Sequence, residues 1–345
     1  MKKFISVTAF AMASLLVFSA CGNVQAKENS EGSRLKIVTT IFPEYDWVCQ
    51  ILGDKKDDAD VFMLLDNGVD LHSYQPTAED IMNIADCDMF IYVGGESDEW
   101  VEDALKEKVN DNMKVINLLE VLGDKVKEEE LVEGMEGEEE EDGEASDAES
   151  ENAEDAEDSE EEEIEYDEHV WLSVKNTKII ASEIAAELEA LDPDNSDVYS
   201  ENAASYVKEL EALDAEYEKV VSEADVKTVL FGDRFPFRYL TDDYDLDYYA
   251  AFVGCSAETE ASFETIVFLA DKVDALGLKS VLTIEGADHK IADTIVQNTK
   301  TKDQQILTMD SMQSTTSKDV AGGASYLQIM KDNLEVLSEA LGAAN

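Results

Sequence analysis

The side chains best suited to chemistry in this sequence are its three histidines, at positions 72, 169 and 289. His72 lies in GVDLHSYQPTAED (residues 68–80) and His169 lies in DEHVWL (residues 167–172). Imidazole nitrogens bind zinc and related divalent ions, and two imidazoles on separate loops can share one ion where the loops meet. On residue types alone, an ordinary loop histidine is the alternative at each position. His289, in GADHK, begins a predicted helix, and we expect it to be exposed.

Strands and helices that alternate along the chain must position these histidines. Short apolar runs separated by helical patterns predict a parallel sheet covered on both faces, and the series occurs twice. The predicted strands are 35–41, 60–65, 88–93 and 114–118 in the first series, and 228–231, 246–253, 280–284 and 304–308 in the second. Ligands bind at the carboxyl ends of such strands, which is where His72 falls. The predicted fold class is α/β, with two lobes, each a mainly parallel sheet flanked by helices.

One long helix is predicted to join the two lobes. Its apolar side chains recur alternately four and three residues apart, which places them on one stripe of a helix. They are Tyr199, Ala203, Tyr206, Leu210, Leu213, Tyr217 and Val220. About 28 residues at 1.5 Å each would span roughly 42 Å, enough to connect two lobes without a flexible hinge. The predicted boundaries are 35–191 for the N-terminal lobe, 192–225 for the connecting helix and 226–345 for the C-terminal lobe.

The first twenty residues have the pattern of an export signal. Lys2 and Lys3 precede an apolar run at 4–18, which is shorter than a membrane-spanning helix. The following FSACG resembles a bacterial lipobox, so we expect cleavage to leave Cys21 as a lipid-carrying N-terminus. A plain secretory signal is the alternative. Residues 21–34 are polar and are predicted to be a tether, which would hold the protein at the outer face of the bacterial cell membrane.

Acidic residues dominate the composition. Asp and Glu number 81 against 26 Lys and Arg, a formal net charge of −55, which excludes nucleic-acid binding as a main activity because that affinity depends on clustered cations. Residues 128–168 hold 25 of the acidic residues and no basic one. This segment is predicted to be a disordered loop projecting from the first lobe, either simply solvated or acting as a weak collector of divalent cations.

Four segments together resemble a known family. TTIFPEYDWV (residues 39–48), GVDLHSYQPTAED, DEHVWLSVKNTKI (residues 167–179) and YLQIMKDNLEVL (residues 326–337) are similar to the metal-binding lipoproteins of zinc and manganese ABC importers, the cluster A-I (cluster 9) solute-binding family. The match runs in order over nearly the whole mature chain. It implies two lobes and a long connecting helix, with His72 and His169 as the first two metal ligands and Asp310 as the fourth. The acidic segment occupies the place where zinc members often carry a histidine-rich loop.

The sequence departs from this family at the third ligand, which is a histidine or a glutamate. Gly232 stands at that position and has no side chain to bind a metal. The replacements that remain open are Cys255 after a second-lobe strand, Asp233 beside the vacated position, Glu285 at the end of another strand, or a water molecule. A thiolate binds zinc well at about 2.3 Å, which favours Cys255.

The other two cysteines of the mature chain carry no such signal. Cys49 and Cys87 each interrupt an apolar pattern, and the spacing dictates no disulfide. We interpret both as small buried hydrophobic residues.

The resemblance implies a carrier rather than an enzyme. The predicted function is an extracytoplasmic, high-affinity binding protein for Zn²⁺ that delivers the ion to the membrane permease of an ABC importer, as a monomer and without nucleic acid. Mn²⁺ is the alternative ion, because carboxylate ligands shift preference toward it. A surface adhesin with a structural metal is a second alternative. A zinc hydrolase is a weaker one, because the sequence contains no His-Glu-x-x-His helix or Gly-x-Ser-x-Gly elbow.

Overall fold

Two series of apolar strands form two parallel four-stranded sheets in the computed structural model, which describes residues 34–137, 165–256, 260–286 and 288–343. The predicted signal segment, Cys21 and residues 138–164 of the acidic segment lie outside the described residues. The first sheet has the order β2-β1-β3-β4 and the second the order β6-β5-β7-β8. The strands are β1 (Leu35–Thr39), β2 (Ala59–Met63), β3 (Met89–Tyr92), β4 (Lys114–Asn117), β5 (Thr228–Phe235), β6 (Asp247–Val253), β7 (Ser280–Ile284) and β8 (Gln305–Met309). The two α/β lobes predicted from the sequence are confirmed.

Helices cover the faces of the sheets, as short apolar parallel strands require. The helices of the first lobe are α1 (Phe42–Leu52), α2 (Ala78–Ala85), α3 (Trp100–Lys106), α4 (Leu118–Leu122) and α5 (Val174–Leu191). Those of the second lobe are α7 (Arg238–Asp243), α8 (Phe263–Leu276), α9 (Lys290–Asn298), α10 (Ser317–Ala321) and α11 (Tyr326–Ala340). Among the described residues, no helix combines the length and the apolar character that a membrane crossing needs.

The long helix α6 (Ser196–Glu223) connects the two lobes. Its predicted apolar stripe is buried from Tyr199 to Tyr217, and Val221 rather than Val220 completes the buried face. Asn202 donates a hydrogen bond to the carbonyl oxygen of Ile51 in α1, and Tyr217 donates one to the carbonyl oxygen of Met330 in α11. The helix is therefore fixed to both lobes by buried contacts.

The two flanks of the acidic segment, residues 128–137 and 165–168, are packed against the protein. This differs from the expectation of a disordered loop over 128–168 that projects from the first lobe. Asp167 and Glu168 are buried, and residues as far as Glu136 contact strands and helices of the second lobe. The physical reason is that residues of this segment form hydrogen bonds and ion pairs with residues far away in the sequence. Composition alone does not reveal such contacts.

Two carboxyl groups are buried beside each other at the carboxyl edge of the first sheet. One oxygen of Glu44 accepts hydrogen bonds from the backbone of Thr40 and Ile41, and one oxygen of Asp98 accepts from Gly94. The other oxygen of each carboxyl is buried and has no hydrogen-bond partner among the described residues. Burial, and then the charge of Asp98, raise the pKa of Glu44 to about 8. Burial is also the main cause that raises the pKa of Asp98 to about 7.

We predict that stability falls as pH rises from 5 to 8. In this range the folded protein keeps protons on Glu44 and Asp98 that the unfolded chain releases, and each such proton changes the unfolding free energy by up to about 1.4 kcal/mol per pH unit. Glu44→Gln imitates the protonated acid, so its unfolding free energy should decline less over the same range. Urea denaturation at pH 5 and pH 8 measures this difference. Equal declines for the variant and the wild type would contradict it.

Candidate metal centre

Three potential metal donors converge at the interface of the lobes. One donor atom from each of His72, His169 and Cys255 lies within 4.8 Å of the other two. Within the part of the chain that the structure describes, this is the one group of three or more histidine, cysteine or acidic side chains with such spacing. The Nε2 atoms of His72 and His169 face each other at 3.2 Å.

The loop between β2 and α2 fixes the orientation of His72. Asp70 accepts a hydrogen bond from the backbone N–H of His72 at 3.1 Å and begins a short 3₁₀ turn. The ring Nδ1 lies 2.7 Å from the Ser97 hydroxyl and 3.3 Å from Oε2 of Glu168. A carboxylate near Nδ1 favours the tautomer that carries the proton on Nδ1, and in that tautomer Nε2 presents its lone pair to the site.

His169 is fully buried and is held in the same way. Asp167 accepts hydrogen bonds from the backbone N–H of His169 at 2.8 Å and from its ring Nδ1 at 3.1 Å. The ring packs beside Trp171, with 5.2 Å between centroids, and against Gly254 of the second lobe. A Cβ atom at position 254 would lie 2.9 Å from Cε1 of His169, so the close approach of the ring requires glycine there.

Cys255 follows directly, in the turn after β6. The turn is at the carboxyl end of a parallel strand. Ligands of open α/β sheets bind at this end of the strands. The Cys255 thiol therefore reaches the two imidazoles from the second lobe, whereas both histidines belong to the first. A thiolate and two imidazoles form a donor set typical of zinc.

A cavity of about 280 Å³ is lined by two of the three donors, His72 and Cys255. Its lining includes four glutamates and one arginine. They are Glu96, Glu129, Glu165, Glu168 and Arg234. The guanidinium of Arg234, on β5, forms an ion pair with Asp70 of the first lobe. Acidic walls favour the entry of a cation, and the Arg234–Asp70 ion pair bridges the lobes next to the site.

Comparison with known proteins identifies the family of this chain. The family model described as ZnuA, zinc-uptake complex component A, periplasmic, matches residues 37–340. The chain belongs to this family. The high-affinity zinc uptake system protein ZnuA of Bacillus subtilis (strain 168) is 31% identical over 342 residues, which cover 99% of this chain and 98% of that protein.

Two further relatives extend the comparison. The zinc-binding protein AdcA of Streptococcus pyogenes serotype M1 is 28% identical over 326 residues, which cover 94% of this chain, and the chain spans 60% of AdcA. The crystal structure of the Zn(II)-bound ZnuA-like domain of Streptococcus pneumoniae AdcA has a TM-score of 0.66 and 26% identity, and the match covers 90% of this chain and 99% of that domain. The two-lobe fold is thus that of the ZnuA family.

Asp310, the fourth ligand implied by the family resemblance, lies outside the group of three donors. It follows β8, and its Oδ1 accepts a hydrogen bond from the backbone N–H of Met312 at 2.7 Å. Burial, and then the charge of Glu285, raise the pKa of Asp310 to about 6. Asp310 is therefore not among the three donors whose atoms lie within 4.8 Å of one another, and its part in metal binding stays a prediction.

The carboxylates of Glu285 and Asp233, the two alternatives to Cys255, accept hydrogen bonds from other groups. Glu285 accepts hydrogen bonds from the backbone N–H and the hydroxyl of Ser311, at 2.6 and 2.7 Å. Asp233 accepts from the backbone of Arg234 at 2.9 Å and of Ile284 at 3.3 Å. Of the three candidates named from the sequence, Cys255 is the one that the structure brings to His72 and His169.

The remaining histidine and cysteines lie away from the group of three donors. His289 is half-buried rather than exposed, and its Nδ1 is buried without a hydrogen-bond partner among the described residues. Cys49 is half-buried and Cys87 is buried, and neither forms a disulfide. Burial raises the pKa of the Cys87 thiol to about 12, so this cysteine stays a neutral, apolar side chain.

Sequence reasoning missed the side chains that orient the two histidines, although a signal is present. In both motifs an aspartate stands two residues before the histidine, Asp70 before His72 and Asp167 before His169. In both, its carboxylate accepts the backbone N–H of the histidine. Ser97 and Glu168 have no such local signal, because they reach His72 through the fold.

We predict that zinc affinity falls as the pH is lowered through the pKa of His72, because a proton and the metal compete for Nε2. Burial alone would lower this pKa, but the Glu168 carboxylate beside Nδ1 and the charge of Asp70 raise it above the ordinary 6.5. Glu168→Gln removes one of these charges, so the pH midpoint of zinc binding should move down. The zinc affinity of this variant at high pH should also fall by about tenfold, because Glu168 orients the His72 ring. Competition titrations against a chromogenic chelator measure both quantities, and an unchanged midpoint would argue against the role of Glu168.

Proposed function

We propose that this protein is an extracytoplasmic, high-affinity zinc-binding protein that delivers its ion to the membrane permease of an ABC importer. The observation that carries the proposal is the 3.2 Å separation of the two Nε2 atoms, each on a ring whose Nδ1 lies near a carboxylate oxygen, at 3.3 Å for His72 and 3.1 Å for His169. Two lone pairs facing each other repel unless a cation lies between them. In a tetrahedral site with Zn–N distances of 2.0–2.1 Å, two nitrogens are about 3.3 Å apart, so this spacing supports zinc.

The proposed donor set is His72, His169 and Cys255, with water in the fourth position. Manganese prefers carboxylate and carbonyl oxygen, whereas imidazole and thiolate favour zinc. The relatives named above are zinc-uptake and zinc-binding proteins, which agrees with this choice. Asp310 is the alternative fourth donor, as the family resemblance implies, and its Oδ2 is not the oxygen that accepts the hydrogen bond from Met312.

Delivery requires binding and release but no chemical step. At nanomolar affinity about 12 kcal/mol of binding free energy holds the ion, and release requires the permease to favour a distorted donor set. Because Cys255 belongs to one lobe and the two histidines to the other, a small lobe displacement separates the donors. We propose that the lobes are 35–191 and 226–345, that 192–225 connects them, and that a lipid on Cys21 anchors the protein.

Isothermal titration of zinc and of manganese into chelator-treated protein tests the proposal. We expect one tight zinc site per chain and weaker manganese binding. Weak binding by the acidic segment should appear as a separate phase that disappears at high ionic strength, because exposed charges are screened. A manganese preference, or the absence of any tight site in a folded protein, would contradict the proposed function.

A further inference from the structure

The segment 126–137 crosses from the first lobe to the second, and we call it the strap. At its beginning, the backbone N–H of Lys127 donates a hydrogen bond to the Tyr239 hydroxyl at 3.0 Å. The Lys127 ammonium lies 2.7 Å from a carboxylate oxygen of Asp242. Both partners belong to α7 of the second lobe, so the strap is attached there as soon as it leaves the first lobe.

Two glutamates of the strap continue this attachment. Glu130 pairs with Arg238 and accepts a hydrogen bond from the Tyr248 hydroxyl at 3.2 Å, and Glu133 lies 3.0 Å from the Lys272 ammonium. Exposed ion pairs of this kind contribute little singly. Their effect here is to determine the path of the segment over the second lobe.

The strap ends by adding to the edge of the second sheet. The backbone N–H of Glu136 donates to the carbonyl oxygen of Ala251 at 2.9 Å, and Glu136 pairs in parallel with Phe252 of β6. The Glu136 carboxylate accepts hydrogen bonds from the backbone of Ser262 at 2.8 Å and from the Thr265 hydroxyl. This anchor lies on the strand that ends just before Cys255.

The strap also pairs with the segment that carries His169. Glu128 and Tyr166 form an antiparallel bridge, and the backbone N–H of Asp167 donates to the carbonyl oxygen of Lys127 at 2.9 Å. The hydroxyl of Tyr239 donates to the carbonyl oxygen of Asp167 at 2.8 Å while it accepts from Lys127. Tyr239 is 2% exposed, so this hydroxyl is a buried junction between α7, the strap and the Asp167–His169 turn.

We propose that the strap is a positioning element that holds His169 against Cys255, with Tyr239 and Glu136 as its two anchoring residues. The inference rests on the proposed zinc site. His169 belongs to the first lobe, yet its turn is fastened through the strap to the strand that bears the thiol. The separation of these two donors is thereby set by local hydrogen bonds rather than by the long helix α6 alone.

Removal of the Tyr239 hydroxyl is the sharpest test. Tyr239→Phe keeps the ring in the core but leaves the Lys127 N–H and the Asp167 carbonyl oxygen without their shared partner. We expect zinc affinity to fall by about tenfold or more, as for the loss of groups that orient metal ligands. With Co²⁺ as the probe, we expect the thiolate-to-cobalt charge-transfer band to weaken while the ion stays bound, because Cys255 no longer reaches it in the same geometry.

The control is Tyr199→Phe, which removes another buried tyrosine hydroxyl, bonded to Asp192 at 2.7 Å in the helical region away from the site. It should lower the melting temperature without changing the cobalt band. Glu136→Ala is a second variant of the strap, independent of Tyr239, and should repeat the effect of Tyr239→Phe. Glu136→Gln keeps an oxygen acceptor for Ser262 and Thr265 and should restore most of the affinity.

The strap proposal is overturned if Tyr239→Phe and Glu136→Ala bind zinc as tightly as the wild type and show the full thiolate band. A wild type that binds cobalt without a thiolate band would instead reject Cys255 as a donor, and the strap proposal would fall with it. The two failures are therefore distinguishable in one set of spectra.

Discussion

Cys255→Ser is expected to lower the zinc affinity of this protein by at least about 100-fold. Loss of a group that only orients a metal ligand typically costs 10- to 100-fold, so loss of a direct ligand should cost more. Serine is nearly the same size as cysteine, but its hydroxyl remains protonated near neutral pH and is a poor zinc ligand. The two imidazoles would remain at 3.2 Å and would retain weak binding.

Asp310→Asn is the informative comparison, because the family resemblance makes Asp310 a ligand whereas it is not one of the three donors within 4.8 Å of one another. We expect zinc affinity to change by only about two- to threefold, which corresponds to less than about 1 kcal/mol of binding free energy. Competition with a chelator of known affinity, at constant pH and salt, measures both variants. If Asp310→Asn lowers zinc affinity more than Cys255→Ser does, the proposed donor set is wrong.

Manganese affinity provides a second measurement on the same variants. A thiolate contributes little to manganese binding, because manganese prefers oxygen ligands. Cys255→Ser should therefore lower the affinity for zinc far more than the affinity for manganese. The preference of the protein for zinc over manganese should become smaller. A proportionate loss of both affinities would indicate general distortion of the site rather than loss of a soft ligand.

The parts of this fold that depend on repeated apolar patterns could be predicted from the sequence. Each strand of the two sheets is an apolar run, and the stripe of α6 has the period of a helix buried on one face. Such signals sum over many residues, so a single exception such as Val220 does not obscure them. The histidine motifs were informative for a different reason, since only three histidines occur and two stand at the ends of predicted elements.

The choice of the remaining ligand could not be made from the sequence. Cys255, Glu285 and Asp310 follow strands of the second lobe, Asp233 lies within β5, and each of the four has a side chain that can bind a metal. What separates them is whether nearby backbone N–H groups occupy the carboxylate, as at Glu285 and Asp233. That depends on the relative position of neighbouring loops, which residue patterns do not encode.

The packing of the strap against the second lobe could not be predicted from its composition. A run of glutamates predicts a solvated segment, and its partners Arg238, Lys272 and Thr265 are more than 100 residues away. Each contact is a single side chain without a repeating period. Long-range polar pairs of this kind leave no trace in a window of ten or twenty residues.

Gly232→His is expected to destabilise the protein and to leave zinc affinity no higher than in the wild type. In the resembling family a ligand stands at this position, so the histidine would seem to restore it. A Cβ at position 232, however, would lie 2.6 Å from the Cα and 2.9 Å from the backbone N of Ala292 in α9. Backbone atoms of a packed helix cannot yield as the end of a side chain can, and overpacking of this kind typically costs about 1–3 kcal/mol.

Gly232→Ala isolates the steric part of this effect, because it adds only the Cβ. Its control is Gly137→Ala, where the atoms nearest to an added Cβ belong to the flexible Leu131 side chain, at 3.2 Å and beyond. Urea denaturation of the metal-free proteins should show a clear loss for Gly232→Ala and a small change for Gly137→Ala. A stable Gly232→His variant with tighter zinc binding would show that α9 can move aside. The expected loss of stability would mean that the packing of β5 against α9 leaves no room for a side chain at the third ligand position of the family. The donor from the second lobe would then have to come from the turn after β6.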